Sequence, residues 1–254
     1  MTASIDRNQD ALIVQTVSKR FGGNAVFRDV SFSLEPGTIK GVIGPNGAGK
    51  TTLINIISGQ LLPSSGQVLF GGRDVSRQPL HERSKLGIVR SFQQTKTFKT
   101  ASVVENLERA RLFRSAKAAI ADDYIDELIA KCGLADRMDQ ESDTLPYGLQ
   151  KMVGLLMTLV TRPKVLLLDE PAAGLEKQER HLIDVFVHSA QSHLGCSILI
   201  VEHDMELVKR LCPHIYVLDR GQIIADGEPQ EVLQRKDVIE AYLGATEEEV
   251  AANA

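Results

Sequence analysis

The sequence predicts an α/β protein built on a mostly parallel sheet, with a block of helices inserted between its strands. Three observations carry this prediction. Residues 39–43, 165–168 and 197–201 are short apolar runs, the pattern of strands buried on both faces of a parallel sheet. Helical stretches alternate with them, which is the element order of an α/β fold. From about 95 to 162 strand signals vanish and helical ones dominate, so that stretch reads as an inserted helical subdomain.

Residues 1–10 are polar and read as a loose segment. Across 11–34 the pattern is strand-like, with Val30, Phe32 and Leu34 alternating with polar residues as one buried sheet face requires. Glu35-Pro36-Gly37 is a turn, and the strand 39–43 runs into a glycine-rich loop. Residues 51–58, with Leu53, Ile54, Ile56 and Ile57, read as a buried helix. Pro63-Ser64-Ser65-Gly66 turns the chain into a strand at 67–70. Within the insert, helices are expected at 103–113, 116–131 and 149–160, and Pro163 ends the last. The strand 165–168 follows, then a helix at 176–193 and the strand 197–201. A hairpin has arms 215–218 and 222–225 around Asp219-Arg220-Gly221. A short helix at 238–243 and an acidic, alanine-rich tail at 245–254 close the chain.

Composition narrows the function classes. A chain of 254 residues supports one large α/β domain with a substantial core. Hydrophobic residues at 43% and charged residues at 24% argue against a disordered or fibrous chain. A net charge of −4 argues against a nucleic-acid partner, which needs a basic footprint. The longest apolar run, 152–160, falls far short of the roughly 20 residues that cross a bilayer. The N-terminus, with Asp6 and Asp10, lacks the apolar centre of a signal peptide. Cys132, Cys196 and Cys212 have no CxxC spacing, which suits a reducing cytoplasm and offers no metal site.

The chemistry is carried by three strand ends. Gly44-Pro45-Asn46-Gly47-Ala48-Gly49-Lys50-Thr51 matches G-x-x-x-x-G-K-[ST] between a predicted strand and a predicted helix. Glycines let such a loop curl so that its N–H groups face phosphate oxygens, and the helix that follows adds its positive end. Lys50 should reach the β- and γ-phosphates, and the Thr51 hydroxyl should bind Mg²⁺. The strand 165–168 ends in Asp169-Glu170, and the carboxyl end of a parallel strand faces the ligand crevice. Asp169 is placed to hold Mg²⁺ through water, and Glu170 to act as general base for an attacking water. Glu202-His203-Asp204 ends the strand 197–201, so His203 faces the same crevice. Gln93, with Gln94 as its neighbour and competitor, lies where the first lobe meets the helical insert; read alone it is a solvated linker residue. Pro146 and Gly148 precede the predicted helix at 149, a pattern that serves a helix cap and a phosphate site equally well.

Together these residues resemble the ATPase subunit of an ABC transporter. The order is the family's: P-loop at 44–51, Q-loop around Gln93, signature at 145–151, Walker B at 165–170 and switch histidine at His203. The resemblance spans about 12–243 and implies a P-loop NTPase (RecA-like) core with an antiparallel β subdomain. On that basis 11–244 form one ATPase domain. The phrases Arg90-Ser91-Phe92-Gln93, Leu145-Pro146-Tyr147-Gly148, Asp169-Glu170-Pro171-Ala172-Ala173-Gly174-Leu175 and Glu240-Ala241-Tyr242-Leu243-Gly244 look like the branched-chain amino acid importer type.

The resemblance implies that two such subunits, identical or different, dimerise head to tail around ATP. ATP would be held by Gly44, Asn46, Gly47, Ala48, Gly49, Lys50, Thr51 and Thr52 of one subunit. Pro146, Tyr147 and Gly148 of the other would close over it. Glu170, His203, Gln93 and Lys50 are the implied catalytic set, and Thr51, Gln93 and Asp169 the implied Mg²⁺ set. Phe21, upstream of the P-loop, is the candidate to stack on adenine; Phe27 and Phe32 are alternatives. Membrane permease subunits, contacted near the Q-loop, and an extracytoplasmic solute-binding protein are the implied partners, with this subunit peripheral on the inner face of the cell membrane. A lipid or lipopolysaccharide exporter is the rival within the family, and a soluble P-loop ATPase or kinase the rival outside it.

Two departures stand out. Pro146 replaces the signature serine, Tyr147 a glycine and Leu149 the glutamine, while Gly148 keeps its glycine. Glu176 stands where the D-loop has aspartate. Glu170 and His203 are intact, so a hydrolysing enzyme is expected.

Overall fold

β1 (Leu12–Phe21) and β2 (Asn24–Leu34) are two strands where the sequence offers one continuous β-like stretch. Gly22, at φ 56°, and Gly23 reverse the chain so that Phe21 pairs with Asn24. These strands belong to a computed structural model of the chain that describes residues 10–91, 97–113 and 123–243. β3 (Ile39–Ile43) leads to α1 (Lys50–Ile57), whose first residue is Lys50 and not Thr51. β4 (Ser65–Phe70) pairs with β1, and β5 (Arg73–Asp74) extends that edge. α2 (Leu80–Leu86) and β6 (Ile88–Arg90) have no counterpart in the sequence reading, because elements this short carry too few residues for periodicity to register.

The helical insert starts with α3 (Val103–Arg111), closed by a capping box: Ser102 Oγ accepts the Glu105 N–H at 3.3 Å, and Glu105 accepts the Ser102 N–H at 2.8 Å. The helix expected at 116–131 falls partly outside the described residues; its described part is α4 (Asp123–Lys131). α5 (Tyr147–Leu159) starts before the expected residue 149. Pro146, at φ −51°, is its N-cap, and the Pro146 carbonyl accepts the Gln150 N–H at 3.0 Å.

β7 (Val165–Asp169) is followed by turns, not by helix at 176. There Glu179 Oε2 accepts the Glu176 N–H at 3.0 Å, a local bond that competes with helix, and α6 runs His181–Leu194. β8 (Ser197–Val201) leads to α7 (Met205–Leu211), which Asp204 caps by accepting the Glu206 and Leu207 N–H groups. β9 (His214–Asp219) and β10 (Gln222–Gly227) form the expected hairpin, with Arg220 (φ 44°) and Gly221 (φ 79°) both left-handed as a tight turn demands. α8 (Pro229–Val232) and a helical segment at 236–243 follow.

The strands make two sheets among the described residues. One has the order β2-β1-β4-β5 and is antiparallel throughout. The other has the order β10-β9-β3-β8-β7-β6; it is parallel except for β10. Along β7, Val165 and Leu167 point to one face of this sheet, where Leu53, Ile54, Ile56 and Ile57 of α1 and the antiparallel sheet complete the core. Leu166 and Leu168 point to the opposite face, where α5, α6 and α7 pack with Leu155, Phe186 and Leu207. α3 and α4 continue that second layer through Leu107 and Leu128. The central strands are thus buried on both sides, which explains their unbroken apolar runs.

Candidate active site

Strand register sets the site. Val201 of β8 is level with Val42 of β3 on one side and with Asp169 of β7 on the other. Neighbouring strands lie about 4.8 Å apart. The segments that leave these three strands, 44–49, 170–174 and 202–204, therefore emerge side by side at one sheet edge.

The first of them is the glycine-rich loop. Gly44 has φ 154°, and a Cβ there would meet the Leu218 carbonyl oxygen at 2.0 Å, so no other residue fits. A cleft of about 240 Å³ is lined by Asn46, Gly47, Gly49, Lys50, Thr51 and Thr52 of the loop, with Val26 and Glu170 opposite. Gly44 lies buried beneath the loop. Ala48 faces a second cleft of about 180 Å³, shared with Asn46, Gly47, Asp219, Arg220 and Ala241. Lys50 does not extend into the cleft. Its Nζ donates to the Gly44 and Pro45 carbonyls at 2.7 and 2.9 Å. Burial pushes the Lys50 pKa down, opposed by the charges of Glu170 and Asp169.

The second segment carries the carboxylates. Asp169 is buried, with Oδ2 accepting from Arg90 Nη2 at 2.7 Å. Burial raises its pKa, and the Arg90 hydrogen bond opposes that shift. Glu170 sits at φ 48°, which turns its carboxylate out of the line of β7. This strained backbone is held on both sides: the Glu170 N–H donates to the Val201 carbonyl at 2.8 Å, and Lys151 Nζ donates to the Glu170 and Ala173 carbonyls at 3.2 and 2.6 Å. His203 arrives from the third segment, its Nδ1 3.9 Å from Glu170 Oε1 and 3.8 Å from Glu202 Oε2. Glu202 is buried at 1% exposure; it accepts the Ala172 N–H at 2.9 Å and the His203 N–H at 3.1 Å. It ties the two carboxyl-end turns together.

Sequence reasoning missed Lys151, Glu202 and Arg90 as members of this site. The signal for Glu202 was present, since it is the first residue after an apolar strand. Lys151 and Arg90 act across the fold, and no local pattern announces them.

The other predicted residues lie elsewhere. Pro146, Tyr147 and Gly148 form the start of α5 and do not line the phosphate-loop cleft. Gly148 is packed under Glu179, whose Oε1 would lie 2.2 Å from a Cβ, and the Tyr147 ring covers Gly174. The N–H groups of the first helical turn have no intrahelical partners. Phe21 is 50% exposed, with Lys19 Nζ 4.8 Å from its ring centre; Phe27 and Phe32 are buried in the core. Gln93 lies outside the described residues.

The donor set fits Mg²⁺. Asp169 Oδ1 is buried and has no hydrogen-bond partner among the described residues, an arrangement that suits an oxygen reserved for a hydrated cation. No group of three His, Cys, Asp or Glu side chains among the described residues could hold a metal unaided. A magnesium ion here would depend on nucleotide phosphates, as Mg²⁺ usually does.

The chain is similar to known proteins along nearly its whole length. The family model for ABC transporters matches residues 27–173, and a model described as branched-chain amino acid ATP-binding cassette transporter matches 222–248. The high-affinity branched-chain amino acid transport ATP-binding protein LivG of Escherichia coli (strain K12) is 34% identical, covering 93% of this chain and 99% of its own. The probable branched-chain amino acid transport ATP-binding protein LivG of Archaeoglobus fulgidus is 36% identical, covering 94% and 97%. A solved ATP-binding cassette of an ABC transporter in its ADP conformation superposes with a TM-score of 0.80 at 31% identity, over 92% of this chain and 99% of that one. With the phosphate loop, paired carboxylates and histidine at one sheet edge, and with relatives matching along nearly its whole length, the chain belongs to the ATP-binding subunits of ABC transporters, enzymes that hydrolyse ATP to power transport.

Proposed function

We propose that this subunit hydrolyses MgATP in the cleft over residues 44–52, with Glu170 as general base, to drive uptake of branched-chain amino acids. The observation that carries the catalytic half is the meeting of Glu170, His203 and the phosphate loop at one edge, with 3.9 Å between His203 Nδ1 and Glu170 Oε1. The solute class rests on the names of the relatives and on the C-terminal match at 222–248.

In this reading the triphosphate lies against the N–H groups of 46–52, and Lys50 leaves the Gly44 and Pro45 carbonyls to meet it. Thr51 and Asp169 would hold Mg²⁺, which would supply positive charge against the charge developing on the phosphates. Glu170 takes a proton from the attacking water, and His203 donates to the γ-phosphate as the transition state forms. Gln93 orients the water or completes the metal shell. Phe21, half-exposed instead of buried in the core, is free to stack on adenine. Pro146 and Tyr147, both exposed, with Gly148 buried behind them, present the start of α5 to ATP held by a second subunit, so the working unit is a homodimer or heterodimer.

Membership of the family implies permease partners; no helix among the described residues is long and apolar enough to cross a membrane. Those permeases hold the subunit at the cytoplasmic face of the membrane and receive solute from an extracytoplasmic binding protein. Residues 11–244 act as the ATPase domain, with 95–162 as the helical subdomain that meets the permeases.

Purification from native membranes in mild detergent tests this reading. Hydrophobic permeases should co-purify, and ATP turnover should rise with a binding protein loaded with leucine, isoleucine or valine. Co-purification with a lipid-export complex, or stimulation by an unrelated solute only, would overturn the solute assignment.

A further inference from the structure

We propose that Arg90 is a positioning residue for the metal end of the site: it grips one carboxylate oxygen of Asp169 so that the other faces Mg²⁺. The inference rests on the metal role given to Asp169 above.

Arg90 is the last residue of β6, beside Leu167 of β7. Its Nη2 donates to Asp169 Oδ2 at 2.7 Å, with the two side chains 7% and 1% exposed. Its Nη1 donates to Asn55 Oδ1 on α1 and to Gln60 Oε1 at 2.9 Å. The guanidinium is therefore a brace between the helix that begins with Lys50 and the strand that ends with Asp169. Its planar fork allows this; an ammonium has no fixed donor geometry.

Two consequences follow from the geometry. With Oδ2 tied, rotation of the Asp169 carboxylate is restrained, and Oδ1, buried without a hydrogen-bond partner among the described residues, is the oxygen left to receive a metal-bound water. The guanidinium also balances the Asp169 charge, so the cation is drawn in with the triphosphate and not ahead of it. A buried ion pair is costly to desolvate and contributes little net stability. A positioning role accounts for its presence at this place.

The test compares ATP affinity in Mg²⁺ with affinity in EDTA, by calorimetry on the full chain. The variants are Arg90→Gln, Arg90→Lys, Asp169→Asn and the double variant Arg90→Gln/Asp169→Asn. Partners that orient a metal ligand are typically worth roughly 10–100-fold in metal affinity. Arg90→Gln should keep the EDTA affinity and lose the Mg²⁺-dependent gain by a factor in that range. Arg90→Lys should lose less, and the double variant no more than Asp169→Asn alone. A strut without a metal role would lower both affinities equally, and that result overturns the proposal, as does a full Mg²⁺ gain in Arg90→Gln. If Arg90→Gln does not fold, Arg90→Lys decides: a reduced gain supports the proposal and an undiminished one overturns it. If Asp169→Asn keeps the gain, the metal reading of Asp169 fails and this inference with it. A loss in Asp169→Asn with none in Arg90→Gln overturns this inference alone.

Discussion

Arg83→Met tests how the helix behind the phosphate loop is anchored. Arg83 is fully buried and, among the described residues, donates to main-chain carbonyls: Nη1 to Ile56 and Ile57 at 2.7 Å, Nη2 to Ser76 at 2.8 Å and Nε to Gln78 at 3.0 Å. Ile56 and Ile57 are the last residues of α1, whose final carbonyls have no intrahelical donors. Burial lowers the Arg83 pKa to about 10, so the side chain stays charged at neutral pH. Methionine keeps an apolar stem of similar reach but no donors. The Ile56 carbonyl still accepts the Gly59 N–H at 3.1 Å, so the losses fall on Ile57, Ser76 and Gln78. At about 1 kcal/mol for each carbonyl the variant should lose about 3 kcal/mol. For a chain of this size that lowers Tm by about 6–12 °C. Thermal unfolding followed by circular dichroism measures it. A loss below about 1 kcal/mol would refute the reasoning, because it would mean that removing the buried charge offsets the lost hydrogen bonds.

Three further outcomes are expected. Lys50→Ala should weaken MgATP binding by about 10–150-fold, the equivalent of one charge-assisted hydrogen bond; calorimetry giving wild-type affinity would contradict the phosphate role of Lys50. Lys151→Met should lower kcat and leave ATP affinity intact, because Lys151 pins the carbonyls of Glu170 and Ala173 and not the phosphate cradle; equal losses in both would contradict that placement. Pro146→Ser, in a Glu170→Gln background, should match or tighten ATP-dependent dimerisation, since serine restores a hydroxyl where proline offers neither O–H nor N–H; a weaker dimer with intact circular dichroism would make Pro146 a required rigid element.

The parallel core was legible because β7 and β8 are buried on both faces, and their apolar runs record that directly. The phosphate loop was legible because Gly44 fills a position whose backbone admits no Cβ. The carboxylates and His203 were legible from their places at strand ends. What the sequence did not disclose depends on distant contacts. Nothing in 88–90 announces that Arg90 reaches Asp169, and nothing near Glu176 announces that Glu179 claims its N–H and delays α6 to His181. The hairpin at Gly22-Gly23 is legible in the Gly-Gly pair, a two-residue turn signal between strand-like stretches, although 11–34 reads as one β-like stretch by composition alone. The parked position of Lys50 on the Gly44 and Pro45 carbonyls is a property of the folded loop, which residue types do not encode.

The central claim is that Glu170 acts as the base that activates water at this sheet edge. Glu170→Gln tests it most directly, because the carboxamide keeps the shape of the side chain and cannot accept the proton. ATP turnover should fall by roughly 10²–10⁴-fold while ATP binding persists. Turnover equal to wild type, at unchanged ATP affinity, would contradict the account.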